Sequence, residues 1–194
     1  MPKTQLELRF ATPAAWTEAV LAGFDAFLVD HAAAEKKASG MAVSMLSHYP
    51  DKSALVKAMI DLAIEEMSHF REVVKLMSER DLQLQADSKD AYVNALRALN
   101  RRGKQEYFLD RLLLGAIIEA RGCERFGLIA EALPAGKMKN FYRAIADSES
   151  RHGNLFLDLA RQYFNEEEIA LRLDTLLDHE ARICAALPIQ AALH

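Results

Sequence analysis

The sequence predicts an all-α fold: a four-helix bundle with additional short helices and a C-terminal helix. Three observations predict it. The chain is rich in Ala, Leu, Glu, Lys, Arg and Met, all strong helix formers, and holds only 8 glycines and 5 prolines. Apolar residues recur at helical spacings between widely separated breaks. No segment alternates as a strand would, and no Asn-Gly or Asp-Gly hairpin turn occurs.

The elements follow from those breaks. Thr12 before Pro13 reads as an N-cap with proline at the first helical position, opening a helical stretch over 13–48. That stretch is long enough to expect a break near Gly23 or Asp30. Tyr49-Pro50-Asp51 closes it and opens 52–80, where Leu55, Met59, Leu62, Ile64, Met67, Phe70, Val74 and Met77 predict a broad apolar face. Arg80 to Ser88 is polar and loop-like, and a short helix is expected over 89–101. After the weak break Arg101-Arg102-Gly103, the run Leu109, Leu112, Leu113, Ala116, Ile117, Ala120, Cys123 marks 104–132. Leu133-Pro134-Ala135-Gly136 separates it from 137–164. Asn165 caps a last helix over 166–187, with Glu166-Glu167-Glu168 in its first turn. Methionines at helical spacing are read as core.

Length and charge bound the class. At 194 residues and 51% hydrophobic content, the chain fits one domain over 1–194 with a sizeable core. A formal charge of -4 and a pI near 5.9 provide no overall basic field. Cys123 and Cys184 are too few for a disulfide framework or a cysteine-rich zinc site and point to a reducing compartment. Met1 to Leu8 lacks a leader pattern, and no apolar run approaches the ~20 residues that span a bilayer. A cytoplasmic location is expected.

Two stretches share one form: Glu66-Met67-Ser68-His69 and Glu149-Ser150-Arg151-His152. Residues three apart share a helix face, so each pair can aim a carboxylate and an imidazole at the same ion. Glu35 and Glu119 each lie about 30 residues ahead of these pairs, mid-helix among small or apolar neighbours. Each half of the chain is therefore a helix with Glu, a turn, and a helix with Glu-x-x-His. An acid in such surroundings is costly to bury unless paired or metal-bound. Four carboxylates neutralise two divalent cations, and oxygen ligands with imidazole suit iron or manganese. The expected ligands of a two-iron centre are Glu35, Glu66, His69, Glu119, Glu149 and His152. Glu124 and Glu131 are the alternatives to Glu119.

Around them stand weaker candidates. Glu65, one turn before His69, is a candidate hydrogen-bond partner of an imidazole. His31, one turn before Glu35, faces the site or serves the core. Cys123, one turn after Glu119, lines a substrate pocket or simply packs. Tyr107, Tyr142 and Tyr163 are candidate radical or hydrogen-bonding residues, whereas His48, His179 and His194 match no ligand spacing. A ferritin-like diiron bundle of this kind stores iron, scavenges peroxide or activates oxygen, and fold alone does not decide among them. The absence of Cys-x-x-Cys removes the rubredoxin module frequent in peroxide-reducing relatives.

The flanking residues carry a narrower likeness. Asp30-His31-Ala32-Ala33-Ala34-Glu35-Lys36-Lys37-Ala38, the Tyr49-Pro50 break and Glu65-Glu66-Met67-Ser68-His69-Phe70 resemble the MiaE family, the tRNA-(2-methylthio-N6-isopentenyladenosine) hydroxylases. The resemblance continues through Ile118-Glu119-Ala120-Arg121-Gly122-Cys123-Glu124-Arg125-Phe126 and Ser148-Glu149-Ser150-Arg151-His152, in order along nearly the whole chain. It implies a monooxygenase that hydroxylates the isopentenyl group of a modified adenosine beside the tRNA anticodon. It further implies O2 as co-substrate and two electrons from an external donor, a reductase or ferredoxin. Glu66 and Glu149 would bridge the ions, with Glu35 and His69 terminal on one and Glu119 and His152 on the other. A tRNA partner requires cations for phosphate. Arg101, Arg102 and Lys104, and Lys137 with Lys139, are the candidate clusters, with Lys36 and Lys37 near Glu35. Iron storage, peroxide scavenging and small-molecule oxidation by a diiron oxidase are the competing readings.

Overall fold

The computed structural model describes residues 6–194. Met1 to Gln5, part of the segment read as lacking a leader, lie outside the described residues. Among the described residues there are seven helices and no strand: α1 (Ala14–Ala22), α2 (Phe24–His48), α3 (Ser53–Ser78), α4 (Ala91–Arg97), α5 (Lys104–Ala132), α6 (Lys137–Tyr163) and α7 (Glu166–Ala186). The expected break falls at Gly23, where a Cβ would come 2.8 Å from Ala191 Cβ, so glycine admits the C-terminal segment. Among the described residues no helix is long and apolar enough to cross a membrane.

The chain divides into two compact units. One comprises residues 18–88 and 190–193 and is built on the α2–α3 hairpin. Its helices are joined by the Tyr49–Lys52 turn and tied by Ser39 Oγ donating to the Ala63 carbonyl at 2.9 Å. Leu55, Met59, Leu62, Val73, Leu76 and Met77 of α3 are buried with Phe27, Leu28, Ala42 and Met45 of α2. The loop after α3 is fastened to α2 by Lys36, 2.8 Å from Asp87, and by Lys37 Nζ donating to the Ser88 carbonyl at 2.9 Å.

The second unit comprises residues up to 17, residues 89–189 and His194. Its base is the α5–α6 hairpin, with α4 and α7 packed on α5. Gly115 of α5 permits close helix approach, since a Cβ there would sit 3.0 Å from the Phe156 ring. Asp110 is buried and joins three segments: it accepts from Arg101 N at 2.8 Å, Arg101 Nη2 at 2.8 Å and Arg172 Nε at 2.8 Å. A second buried network links α5 to α7 and α4. Arg121 Nε donates to Glu180 Oε1 at 2.9 Å, and the Tyr92 hydroxyl donates to the same oxygen at 3.0 Å.

Three expectations are corrected here. Helix α1 begins at Ala14, and Thr12 does not cap it: its hydroxyl donates to Glu124 Oε2 at 2.7 Å and its oxygen accepts from Arg121 Nη1 at 3.1 Å, both tertiary contacts. The short helix is Ala91–Arg97 rather than 89–101, capped by Asp90 accepting from Val93 N at 2.9 Å. Ile64 and Met67 are 65% and 44% exposed, so the apolar face of α3 is narrower than predicted. Its centre is taken by Ala63 and Glu66, which leaves Ile64 and Met67 on the outer flank. By contrast, Asn165 caps α7 as read, accepting from Glu168 N at 2.8 Å.

Candidate metal centre

In the first unit, α2 supplies Glu35 and α3 supplies Glu66 and His69. These three offer ligand atoms within 4.8 Å of one another. Both carboxylates are buried, at 3% and 1% exposure. His69 Nδ1 lies 3.5 Å from Glu35 Oε2 and 3.6 Å from Glu66 Oε2. Ligands at bond lengths of ~2.1 Å around one ion have similar mutual separations. His31 is fully buried one turn before Glu35, and its Nε2 donates to Glu35 Oε1 at 2.6 Å. Burial pushes the Glu35 carboxyl above its ordinary range against the pull of His31 and His69. Burial also opposes charge on His69, but Glu35 and Glu66 outweigh it and push its pKa up to about 9.

In the second unit, α5 supplies Glu119 and α6 supplies Glu149 and His152, again with ligand atoms within 4.8 Å of one another. All three are buried, and His152 Nδ1 lies 3.8 Å from Glu119 Oε2. A Cβ on Gly122 would lie 3.1 Å from Glu149 Oε2, so the missing side chain makes a cradle for that carboxylate. Glu124 is drawn elsewhere: it accepts from Thr12 N at 2.9 Å and from the Thr12 hydroxyl, and it pairs with Arg121. Glu131 is exposed, and its carbonyl accepts from Lys139. The donor set of each unit is thus two buried carboxylates and one imidazole, which fits a hard or borderline divalent ion such as iron.

The remaining candidates separate. Glu65 Oε1 lies 4.0 Å from His69 Nε2, outside hydrogen-bond distance. Cys123 is buried beside the site, and desolvation raises its thiol to about 11, which removes it as a nucleophile. Tyr142 is buried against Phe126, Tyr163 packs on Phe108, and Tyr107 is 37% exposed with Arg111 over its ring at 6.0 Å. His48 Nδ1 bonds the Ser44 carbonyl, and His194 stacks on Tyr92 beside Asp90.

At least four of the proposed phosphate cations have structural partners. Arg101 is paired with Asp110, and Lys139 Nζ donates to the Glu131 and Leu133 carbonyls at the end of α5. Lys36 and Lys37 hold the loop after α3. Arg102, Lys104 and Lys137 are exposed.

The profile of the family described as MiaE, tRNA-(MS[2]IO[6]A)-hydroxylase, matches residues 1–194. The chain belongs to the MiaE family. Among MiaE relatives, a Pseudomonas putida protein described as tRNA 2-(methylsulfanyl)-N(6)-isopentenyladenosine(37) hydroxylase is 37% identical over 88% of this chain and 82% of its own length. A Salmonella typhimurium protein of the same description is 32% identical over 69% of this chain and 53% of its own length. Among solved structures, a Synechococcus protein described as having aldehyde deformylating oxygenase activity matches with a TM-score of 0.90 and 33% identity, over 96% of this chain and 94% of that one. That match agrees with the ferritin-like helical bundle that the MiaE resemblance implies.

Sequence reasoning missed Gly122, Ser148 and the buried Arg121–Glu180 pair. Gly122 stands inside a quoted motif, three residues after Glu119, and a small residue one turn along a ligand helix was the available signal. Ser148 occupies the same place before His152 that Glu65 occupies before His69. Nothing in sequence marks Glu180, because its partner Arg121 lies 59 positions away.

Proposed function

We propose that this MiaE family member is a diiron monooxygenase that hydroxylates the isopentenyl group of a modified adenosine beside the tRNA anticodon. The reading takes the two units to work as a single domain in the cytoplasm, using O2 and electrons from a reductase or ferredoxin. The observation that carries it is the matching triad in each unit, two buried carboxylates and one imidazole, in a chain of this family.

In this reading Glu35, Glu66 and His69 would hold one iron, and Glu119, Glu149 and His152 would hold the other. Bound iron would supply O2 activation and a site for two-electron chemistry. The protein's residues supply the rest. Four carboxylates balance the charge of two divalent ions, which makes their burial tolerable. His31 fixes the Glu35 carboxylate through its 2.6 Å hydrogen bond. Cys123, neutral and buried, is a candidate apolar lining for the isopentenyl tail. The exposed Arg102, Lys104 and Lys137 are candidate phosphate contacts. Tyr107 with Arg111 adds an exposed aromatic–cation pair of the kind that stacks unpaired bases, ~18 Å along α5 from Glu119.

The decisive experiment supplies iron-loaded protein with O2, an electron donor and tRNA carrying the isopentenyl modification, followed by nucleoside mass spectrometry. Gain of one oxygen atom on the isopentenyladenosine supports the reading. An iron-replete protein that consumes O2 and leaves the nucleoside unchanged would sink it in favour of a small-molecule oxidase. Iron accumulation far beyond two ions per chain would point instead to storage.

A further inference from the structure

The two imidazoles are oriented alike, each within its own unit. His69 turns Nδ1 toward Glu35 and Glu66, and Nε2 toward Glu65 Oε1 at 4.0 Å. His152 turns Nδ1 toward Glu119, and its Nε2 lies 3.4 Å from Ser148 Oγ. Glu65 and Ser148 both stand four residues before their histidine, so the helix itself places each one turn behind the ring. The two backing groups differ in charge. Glu65 is a partly exposed carboxylate whose Oε1 stands at ion-pair distance, 4.0 Å, from the outer nitrogen of the ring. Ser148 is a buried hydroxyl whose oxygen also accepts from Arg151 Nη2 at 3.1 Å.

A ligating histidine whose outer N–H faces a carboxylate is the more basic donor, because the anion stabilises the positive charge that moves onto the ring when Nδ1 gives electron density to a metal. A serine hydroxyl fixes the ring and its tautomer without supplying that charge. Arg151 works further in the opposite sense, since its cation polarises the oxygen that His152 faces.

We propose that Glu65 and Ser148 are positioning residues that aim Nδ1 of His69 and His152 at the metal, and that their unequal charge makes the two iron positions unequal, the Glu35–Glu66–His69 position filling first. This inference rests on the two-iron reading above, yet concerns a property which that reading does not require.

Anaerobic titration of the full-length apoprotein with 57Fe(II), read by Mössbauer spectroscopy, tests it. The expected result is one quadrupole doublet up to one equivalent and a second doublet only beyond it, with the two affinities at least ~10-fold apart. Glu65→Gln should weaken the first step by on the order of 10-fold and close the gap. Arg151→Gln, at an exposed position where folding is not at stake, should strengthen the second step alone. Ser148→Ala should weaken the second step alone. Two doublets growing together from the first addition overturn the inference, as does a Glu65→Gln variant that weakens both steps equally. Binding of two ions with one affinity would leave the two-iron reading standing and remove only this inference. Failure of the wild-type chain to bind iron would remove both.

Discussion

A methyl group at Gly122 would approach Glu149 Oε2 to 3.1 Å, so the carboxylate's place depends on an atom that is not there. Alanine is the better helix former, and Gly122→Ala should therefore leave α5 intact. We expect it to shift Glu149 and weaken iron binding several-fold with unchanged helix content, measured by iron titration alongside circular dichroism. The choice between Glu119 and Glu124 is decided at the same scale. Glu119→Gln should lower bound iron at equilibrium, because it leaves His152 and Glu149 one donor short. Glu124→Gln should keep the iron and lose stability, because Thr12 and Arg121 lose a charged partner, at ~1–3 kcal/mol. Loss of iron with Glu124→Gln alone would move the ligand.

Helix α5 has two jobs, and its charged residues divide accordingly. One face carries Glu119 and Gly122 toward Glu149 and His152. The other residues, Asp110, Arg121 and Arg125, are buried and anchor the 98–103 turn, α7 and the N-terminal segment, with Arg125 lying over the Trp16 ring at 4.9 Å. Burial alone would raise the Asp110 carboxyl, but hydrogen bonds from Arg172 and Arg101 outweigh it and hold it below its ordinary value. A lowered carboxyl pKa stabilises the fold above the unfolded-state value, near ~3.9, and that contribution fades as pH falls through the folded-state value. Asp110→Asn should therefore lower the denaturant midpoint at neutral pH. The gap to the wild type should close as the pH drops below ~3.9, which urea titrations across that range would read. A gap constant with pH would mean that packing of the side chain, and not its charge, secures α7.

For the whole molecule, the metal is the natural counter-charge to four buried carboxylates. Without it, burial of Glu35, Glu66, Glu119 and Glu149 opposes folding. Iron bound to the native state alone adds about 2.7 kcal/mol at a concentration 100 times Kd. For a chain of this size that corresponds to a rise in Tm of roughly 5–10 °C. Calorimetry with and without Fe(II) should show that rise, a chelator should reverse it, and Glu149→Gln should reduce it strongly. The surface belongs to this scale too. If Arg102 and Lys104 contact phosphate, replacing both should flatten the log–log salt dependence of tRNA binding by about two units without changing iron content.

Much of this was legible in the chain itself. Helix existence followed from spacing and breakers: the Gly23 break, the Asn165 cap and the Leu133–Gly136 turn are local effects that need no distant partner. The six candidate ligands were legible too, because a helix fixes which residues share a face and Glu-x-x-His is read within one turn. Other features depended on partners far along the chain. Thr12 joins Glu124 instead of capping α1, Arg101 is bound to Asp110, Lys139 closes the end of α5, and Ile64 and Met67 face outward. At Thr12 the tertiary contact outweighed a capping preference of about 1 kcal/mol. The sequence by itself determined the helices and the paired Glu and Glu-x-x-His motifs, since both are written in periods of three and four residues. Only the tertiary structure decided which acids and cations face the two triads and which are held by salt bridges, because those partners are set by packing between segments distant in sequence.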